Sequence, residues 1–248
     1  MESELTKKEF TAPYVISFIT ELIGSAIMIF MGCMGCIMGF DLGPVIPSFS
    51  FAFSVMMPIQ IFAHISPVHM NPGVSIGFVI LGLMEWKRFL VYVFAQYIGC
   101  FCGYGLLKLV TTYLEGMCKL HLKYGINVAQ GFFMEYLSSF ILFLVVCGAI
   151  DRKNATLKDS FCLRLGFTIC GIVFALETFT GAGLNSARSL PPVIFDMDFT
   201  DHWLYEVAPN LGMATAAVIY RFVLDANESK SFHSFLLKKF KTHEIDQL

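Results

Sequence analysis

Asn71-Pro72-Gly73-Val74-Ser75-Ile76-Gly77-Phe78-Val79-Ile80-Leu81-Gly82-Leu83 is an apolar stretch that opens on a helix-capping signal and stops too soon to cross a bilayer. A second such stretch is Asn185-Ser186-Ala187-Arg188-Ser189-Leu190-Pro191-Pro192-Val193-Ile194-Phe195. A spanning helix needs about 20 mostly apolar residues, and these pieces hold roughly 11–13 each. Asparagine is a favoured N-cap, and proline, as at Pro72, suits the first helical turn. Irregular backbone at membrane depth survives only when buried in protein or lining a wet cavity. The two stretches therefore predict short re-entrant helices rather than spans.

The rest of the chain supplies the membrane around them. Of 248 residues, 56% are hydrophobic and 15% are charged, against about 25% charged in soluble domains; mean hydropathy is +0.68. Six spans are predicted, at about Tyr14–Phe40, Pro47–Ser66, Phe89–Leu109, Gln130–Ile150, Leu163–Phe179 and Trp203–Leu224. The first is longer than a signal-peptide core of about 7–15 residues and reads as a retained span. Cations gather in alternate loops: Lys7 and Lys8, then Lys87 and Arg88, then Arg152, Lys153, Lys158 and Arg164, then Arg221 and the tail lysines. The intervening loops are poor in cations: one holds Asp41, the second Lys119 and Lys123, and the third Asp196, Asp198 and Asp201. The positive-inside rule then puts both termini in the cytoplasm. The predicted organisation is a cytoplasmic segment 1–13, a channel domain 14–224 with halves of about 14–112 and 130–224, and a cytoplasmic tail 225–248.

The halves repeat. Phe18-Ile-Thr-Glu21 aligns with Phe132-Phe-Met-Glu135, Asn71 with Asn185, and Ser75 with Ser189, all at an offset of 114 residues. Three spans per half is an odd number, so the second half enters from the opposite side and the repeat is inverted. The fold class is thus an all-α membrane protein with six transmembrane helices plus two re-entrant half-helices in an inverted repeat. The half-helices meet near the midplane with their N-termini facing, each carrying unpaired N–H groups and about half an elementary charge. Asn71 and Asn185 cap them and offer amide N–H groups to a passing water. That water would accept from both and point its hydrogens along the pore axis, which breaks a proton wire, while the positive field opposes cations. Arg188, costly at membrane depth by at least about 2.5–3.5 kcal/mol, reads as a pore-lining donor and cation barrier. Glu21 and Glu135, also within spans, read as acceptors for the backbone N–H groups of the irregular loops.

These residues resemble the aquaporin (major intrinsic protein) family over about Phe18 to Tyr220. The resemblance rests on Glu21, His64-Ile-Ser-Pro-Val-His69-Met-Asn71-Pro72-Gly73, Glu135, Gly181-Ala-Gly183-Leu-Asn185-Ser186-Ala187-Arg188-Ser189 and His202-Trp203. It implies a homotetramer with one pore per subunit, a central constriction at Asn71, Pro72, Gly73, Asn185, Ser186 and Ala187, and a selectivity filter at Phe51, Val173, Ala182 and Arg188. It also implies a structural pore-loop histidine, His69. Strict water channels of the family usually carry histidine where Val173 stands, so the filter is expected to be wider and partly apolar. Ser186 replaces the usual proline, and Gly73 the usual alanine. The first change is expected to loosen the start of the second half-helix, and the second to reduce packing between the two half-helices. Glu206 stands where many relatives have an aromatic residue, and no role is assigned to it.

The expected function is a passive channel for water and small uncharged solutes, with the lipid bilayer as surroundings, more in keeping with the plasma membrane than an internal one. A glycerol- or urea-selective facilitator is the alternative within the family. A secondary transporter coupled through Glu21 or Glu135, and a non-conducting adhesion or scaffold protein, are alternatives of other classes. No catalytic constellation, cofactor motif or metal spacing among the six histidines is visible, and no basic stripe suggests nucleic acid. The eight cysteines, most of them in apolar runs, are expected to act as small packing residues, with a metal or redox pair at Cys33-x-x-Cys36 or Cys100-x-Cys102 as the alternative.

Overall fold

A computed structural model describes residues 12–38, 43–111, 118–123 and 125–225. The predicted cytoplasmic ends, apart from residues 12–13 and Asp225, lie outside these residues, as do Asp41 and the tail lysines. The described helices run in the order α1 (Tyr14–Met38), α2 (Val45–Phe62), α3 (Pro72–Ile80), α4 (Trp86–Val110), α5 (Val128–Ile150), a 3-10 segment (Arg152–Ser160), α6 (Phe161–Thr180), α7 (Ser186–Asp196) and α8 (His202–Ile219). A π-type turn, Tyr220–Leu224, prolongs α8. Six helices (α1, α2, α4, α5, α6 and α8) are long and apolar enough to cross a membrane; α3 and α7 are the short ones.

Contacts between elements obey the repeat. Exchanging α1, α2, α3 and α4 with α5, α6, α7 and α8 maps the α1–α4 contact onto α5–α8, α1–α2 onto α5–α6, and α3–α8 onto α7–α4. The α2–α6 and α3–α7 contacts map onto themselves, so the pseudo-two-fold axis passes between these pairs. The closest crossings use glycine, because helices with no hydrophobic drive between them in lipid associate by close packing of small residues. A Cβ on Gly99 would lie 2.3 Å from the Leu22 carbonyl oxygen, and one on Gly103 2.3 Å from that of Ala26. In the other half a Cβ on Gly212 would lie 2.2 Å from the Tyr136 carbonyl oxygen. Leu22 and Tyr136 are again 114 residues apart.

Two span boundaries differ from the sequence reading by more than two residues. Helix α4 begins at Trp86, not Phe89, so it includes Lys87 and Arg88. Arg88 is 7% exposed. It donates to the Ala12 carbonyl at 2.9 Å and the Ser17 hydroxyl at 2.7 Å, which satisfies the cation inside the protein. Helix α2 stops at Phe62, short of Ser66, because the chain must turn into the loop that leads to Asn71.

The cysteine expectation fails at one pair. Cys33 on α1 and Cys118 in the loop before α5 form a disulfide across 85 residues of sequence. Cys36, Cys100, Cys102, Cys147, Cys162 and Cys170 are free.

Candidate functional site

Two buried carboxylates organise the loops that precede the half-helices. Glu21 accepts from the backbone N–H of His69 at 2.6 Å, from that of Met70 at 2.8 Å and from the Gln96 amide at 2.9 Å. Glu135 accepts from the N–H of Gly183 at 2.8 Å, from that of Leu184 at 2.9 Å and from the Thr180 hydroxyl at 2.6 Å. Both are fully buried, and a charge there is tolerable only when its oxygens are satisfied in this way. Four of the six donors are loop N–H groups; the Gln96 amide of α4 and the Thr180 hydroxyl at the end of α6 are the others, so each carboxylate ties its loop to a spanning helix.

The residues just ahead of the two caps are held in a costly conformation. Met70 has φ 53° and Leu184 φ 54°, in the left-handed region, at about 1–3 kcal/mol each for residues of this kind. The gain is directional. Each N–H points back to its glutamate, and each carbonyl points across the axis to the opposite half. Asn71 Nδ2 donates to the Leu184 carbonyl at 2.8 Å, and Asn185 Nδ2 donates to the Met70 carbonyl at 2.7 Å. The same asparagines cap their own helices, Asn71 Oδ1 accepting from Gly73 N–H and Asn185 Oδ1 from Arg188 N–H. The two caps therefore bind each other's loops, and the half-helices meet N-terminus to N-terminus.

Tyrosines missed by the sequence reading brace the same loops. Tyr92 donates to the Pro67 carbonyl and Tyr205 to the Thr180 carbonyl, at 2.8 and 2.7 Å. They lie 113 residues apart, one short of the repeat, which hides them from a fixed-offset comparison. His69 stacks near Phe78 and Tyr92, with ring centroids 4.3 and 5.0 Å away, and its Nδ1 lies 3.1 Å from the Ser75 hydroxyl.

One cavity of about 440 Å³ runs past these groups. Asn71, Asn185 and His69 line it, as do Phe51, Val173, Ala182 and Arg188. Asp151 and Arg152 line it as well, beyond the end of α5. Pro72, Gly73, Ser186 and Ala187 are buried behind the asparagines and do not line it. Arg188 is 3% exposed; its guanidinium carbon sits 4.7 Å from the Phe51 ring centroid. It donates to the Cys118 carbonyl at 3.2 Å and approaches the Cys118 sulfur at 3.6 Å. The Tyr220 hydroxyl and the Lys153 N–H hold the Asp151 carboxyl below the usual carboxylate range, so it is ionised at neutral pH.

Residues 6–220 match the family profile described as Major intrinsic protein. The chain belongs to the major intrinsic protein family. It is 30% identical to human Aquaporin-1 over 242 residues, covering 92% of this chain and 88% of that one. It is also 30% identical to mouse Aquaporin-4 over 182 residues, which covers 72% of this chain and 56% of the relative. The fold matches that of the aquaglyceroporin from Plasmodium falciparum with a TM-score of 0.79 at 24% identity, covering 88% of this chain and 99% of the other. This major intrinsic protein is accordingly a passive channel for water and small solutes, not an enzyme.

Helix α8 packs against both Ser186 and Gly73. Ser186 is fully buried, and its hydroxyl accepts from the Asn210 amide on α8 at 3.0 Å. A Cβ on Gly73 would come within 2.8 Å of the Met213 sulfur and 3.1 Å of Asn210 Oδ1, so α8 occupies the space an alanine would need. Glu206 also acquires partners. Its carboxylate receives the Tyr97 hydroxyl at 2.8 Å and the Ser189 hydroxyl at 3.3 Å, and lies 3.1 Å from His202 Nε2. It ties α7 to α4 and α8. Gly73→Ala is expected to destabilise the channel by about 1–3 kcal/mol, the usual effect of overpacking. Adding Met213→Val should recover most of that loss in thermal unfolding; equal loss in both variants would mean that the steric account is wrong.

Proposed function

We propose that the pore conducts water and small uncharged solutes and rejects ions and protons at two places, the Asn71/Asn185 pair and the constriction of Phe51, Val173, Ala182 and Arg188. The observation that carries this is the mutual locking of two opposed helix N-termini on one cavity. Each asparagine amide has two hydrogens. One is used on the opposite loop; the second remains at Asn71 for a molecule in the pore, and at Asn185 it faces only a weak acceptor, the Met28 sulfur at 3.6 Å, which a water oxygen can replace. Two helix ends of about half a charge each face the same point, so a cation is opposed there, while a water oxygen is welcomed. A water that accepts from both amides turns its own hydrogens outward along the axis, and a proton then lacks a continuous chain.

Several finer features belong to the same reading. Val173 makes one wall of the constriction apolar and leaves room beyond that needed for water, which favours glycerol or urea as further solutes. Charge distribution favours both termini, including residues 1–13 and 225–248, on the cytoplasmic side. The Cys33–Cys118 disulfide lies on the opposite side in that orientation, and disulfides persist where the medium is oxidising. A plasma-membrane location and a homotetramer with one pore in each subunit complete the proposal.

Purified protein in liposomes tests it. Osmotic shrinkage should be much faster than in protein-free vesicles, with glycerol or urea uptake measurable and no dissipation of an imposed pH gradient. Shrinkage no faster than that of empty vesicles would favour a non-conducting role. Solute flux driven by a proton or sodium gradient would favour a transporter.

A further inference from the structure

The outer loop that holds Arg188 is itself held by a covalent bond. Cys118 lies in the left-handed region with φ 63°, which turns its carbonyl toward the Arg188 guanidinium. Its sulfur is bonded to Cys33, a fully buried residue of α1. The atom that receives Arg188 and the atom that anchors the loop therefore belong to one residue. Beyond Cys118 the loop is held by weaker ties. Lys119 pairs with Asp198, whose side chain is 47% exposed, and such surface pairs contribute about 0–1 kcal/mol. Leu120 packs with Leu204 and Tyr205, and Lys123 N–H donates to the Phe179 carbonyl at 2.9 Å. These ties position residues 119–123, whereas residue 118 packs in the main core with α1 and is joined to it covalently by the disulfide.

We propose that the Cys33–Cys118 disulfide is a specificity element of the pore: it keeps the Cys118 carbonyl on Arg188, and reducing it lets the arginine swing away from Phe51 and admits larger uncharged solutes. This rests on reading Arg188 as part of the constriction. Cys118 is then a positioning residue, acting through Arg188 and not on the solute. The chemistry is thiol–disulfide exchange with an external dithiol. The attacking thiolate forms a mixed disulfide with one protein sulfur, its second thiol closes a cyclic disulfide, and two electrons and two protons end on Cys33 and Cys118. The channel would thus pass a different range of solutes in reducing and oxidising surroundings.

The test uses the full chain in liposomes, with water, urea and glycerol permeability measured before and after dithiothreitol, and thiol labelling to count the two newly reduced cysteines. The glycerol-to-water permeability ratio should rise at least about threefold on reduction, a fraction of the effect of losing one hydrogen bond to a charged group. Cys33→Ser should show the raised ratio without reductant and no further response to it. Arg188→Ala should also show a raised ratio, with dithiothreitol adding nothing. A bond that merely stabilised the fold would lower melting temperature and leave the ratio unchanged. An unchanged ratio in reduced protein, with both new thiols labelled, would overturn the proposal even if Cys33→Ser failed to fold. Should the oxidised protein pass neither water nor solute, the channel reading would fall and take this proposal with it.

Discussion

Glu135→Ala is expected to abolish the folded channel. The substitution leaves the N–H groups of Gly183 and Leu184 and the hydroxyl of Thr180 without their acceptor. Each buried donor so orphaned costs about 1–3 kcal/mol, and a domain has only about 5–15 kcal/mol to lose. The damage also reaches the pore axis. Leu184 keeps its left-handed backbone because its N–H is held by Glu135 while its carbonyl receives Asn71. Once the N–H is released, the strained residue relaxes and the Asn71 amide loses its acceptor. Glu135→Gln is the informative companion. Its carbonyl oxygen can serve Gly183 and Thr180, but its NH2 then faces the Leu184 N–H, donor against donor. A loss of about 1–3 kcal/mol is expected, with a folded protein that still conducts water. Thermal unfolding in detergent, followed by osmotic shrinkage of liposomes, checks both variants. A Glu135→Ala melting curve that overlays the parent's would show that the loop is held by something else. A Glu135→Gln channel that folds normally but loses a gradient-driven flux would return the carboxylate to the role of proton carrier.

The parts of the proposed pore were legible in the sequence as unusual residues because they are local or periodic. Asn71 and Asn185 announce themselves as caps before apolar runs too short to span, and Glu21 and Glu135 are charges in stretches that exclude charge. The common offset of 114 residues then joined them into an inverted repeat, and the span count gave the topology. What escaped was set by packing between distant elements. Tyr92 and Tyr205 brace the two loops identically, but one residue fewer separates them. Gly73 and Ser186 looked like defects when judged on their own half-helices. Their partners, Asn210 and Met213, come from α8, and only the folded arrangement brings that helix against both. The disulfide escaped for the same reason. Cys33 sits in an apolar helix beside Cys36, which suggested packing, and nothing local marks Cys118 as its mate 85 residues away. Glu206 was conspicuous without a role because its partners Tyr97 and Ser189 lie on two other helices.

Val173→His should convert the pore toward water alone. Val173 is 3% exposed and shares the cavity wall with Phe51, Ala182 and Arg188. A histidine there adds a ring in place of two methyl groups, so the opening narrows. It also replaces an apolar wall with a group that binds water and offers nothing to a carbon skeleton. Water loses little, since a single molecule still fits and gains a hydrogen-bonding partner. Glycerol and urea lose room, and their carbon or amide framework must shed water without the apolar contact that Val173 supplied. A difference of about 1.4 kcal/mol between the two barriers lowers the solute-to-water permeability ratio roughly tenfold, and a change of at least that size is expected. Val173→Ala should move the ratio the other way by widening the same wall. Paired measurements of osmotic shrinkage and glycerol or urea uptake on equal amounts of folded protein read both effects. A Val173→His channel with the parent's ratio would mean that solutes are selected elsewhere along the cavity, at the Asn71/Asn185 pair or at the mouth near Asp151.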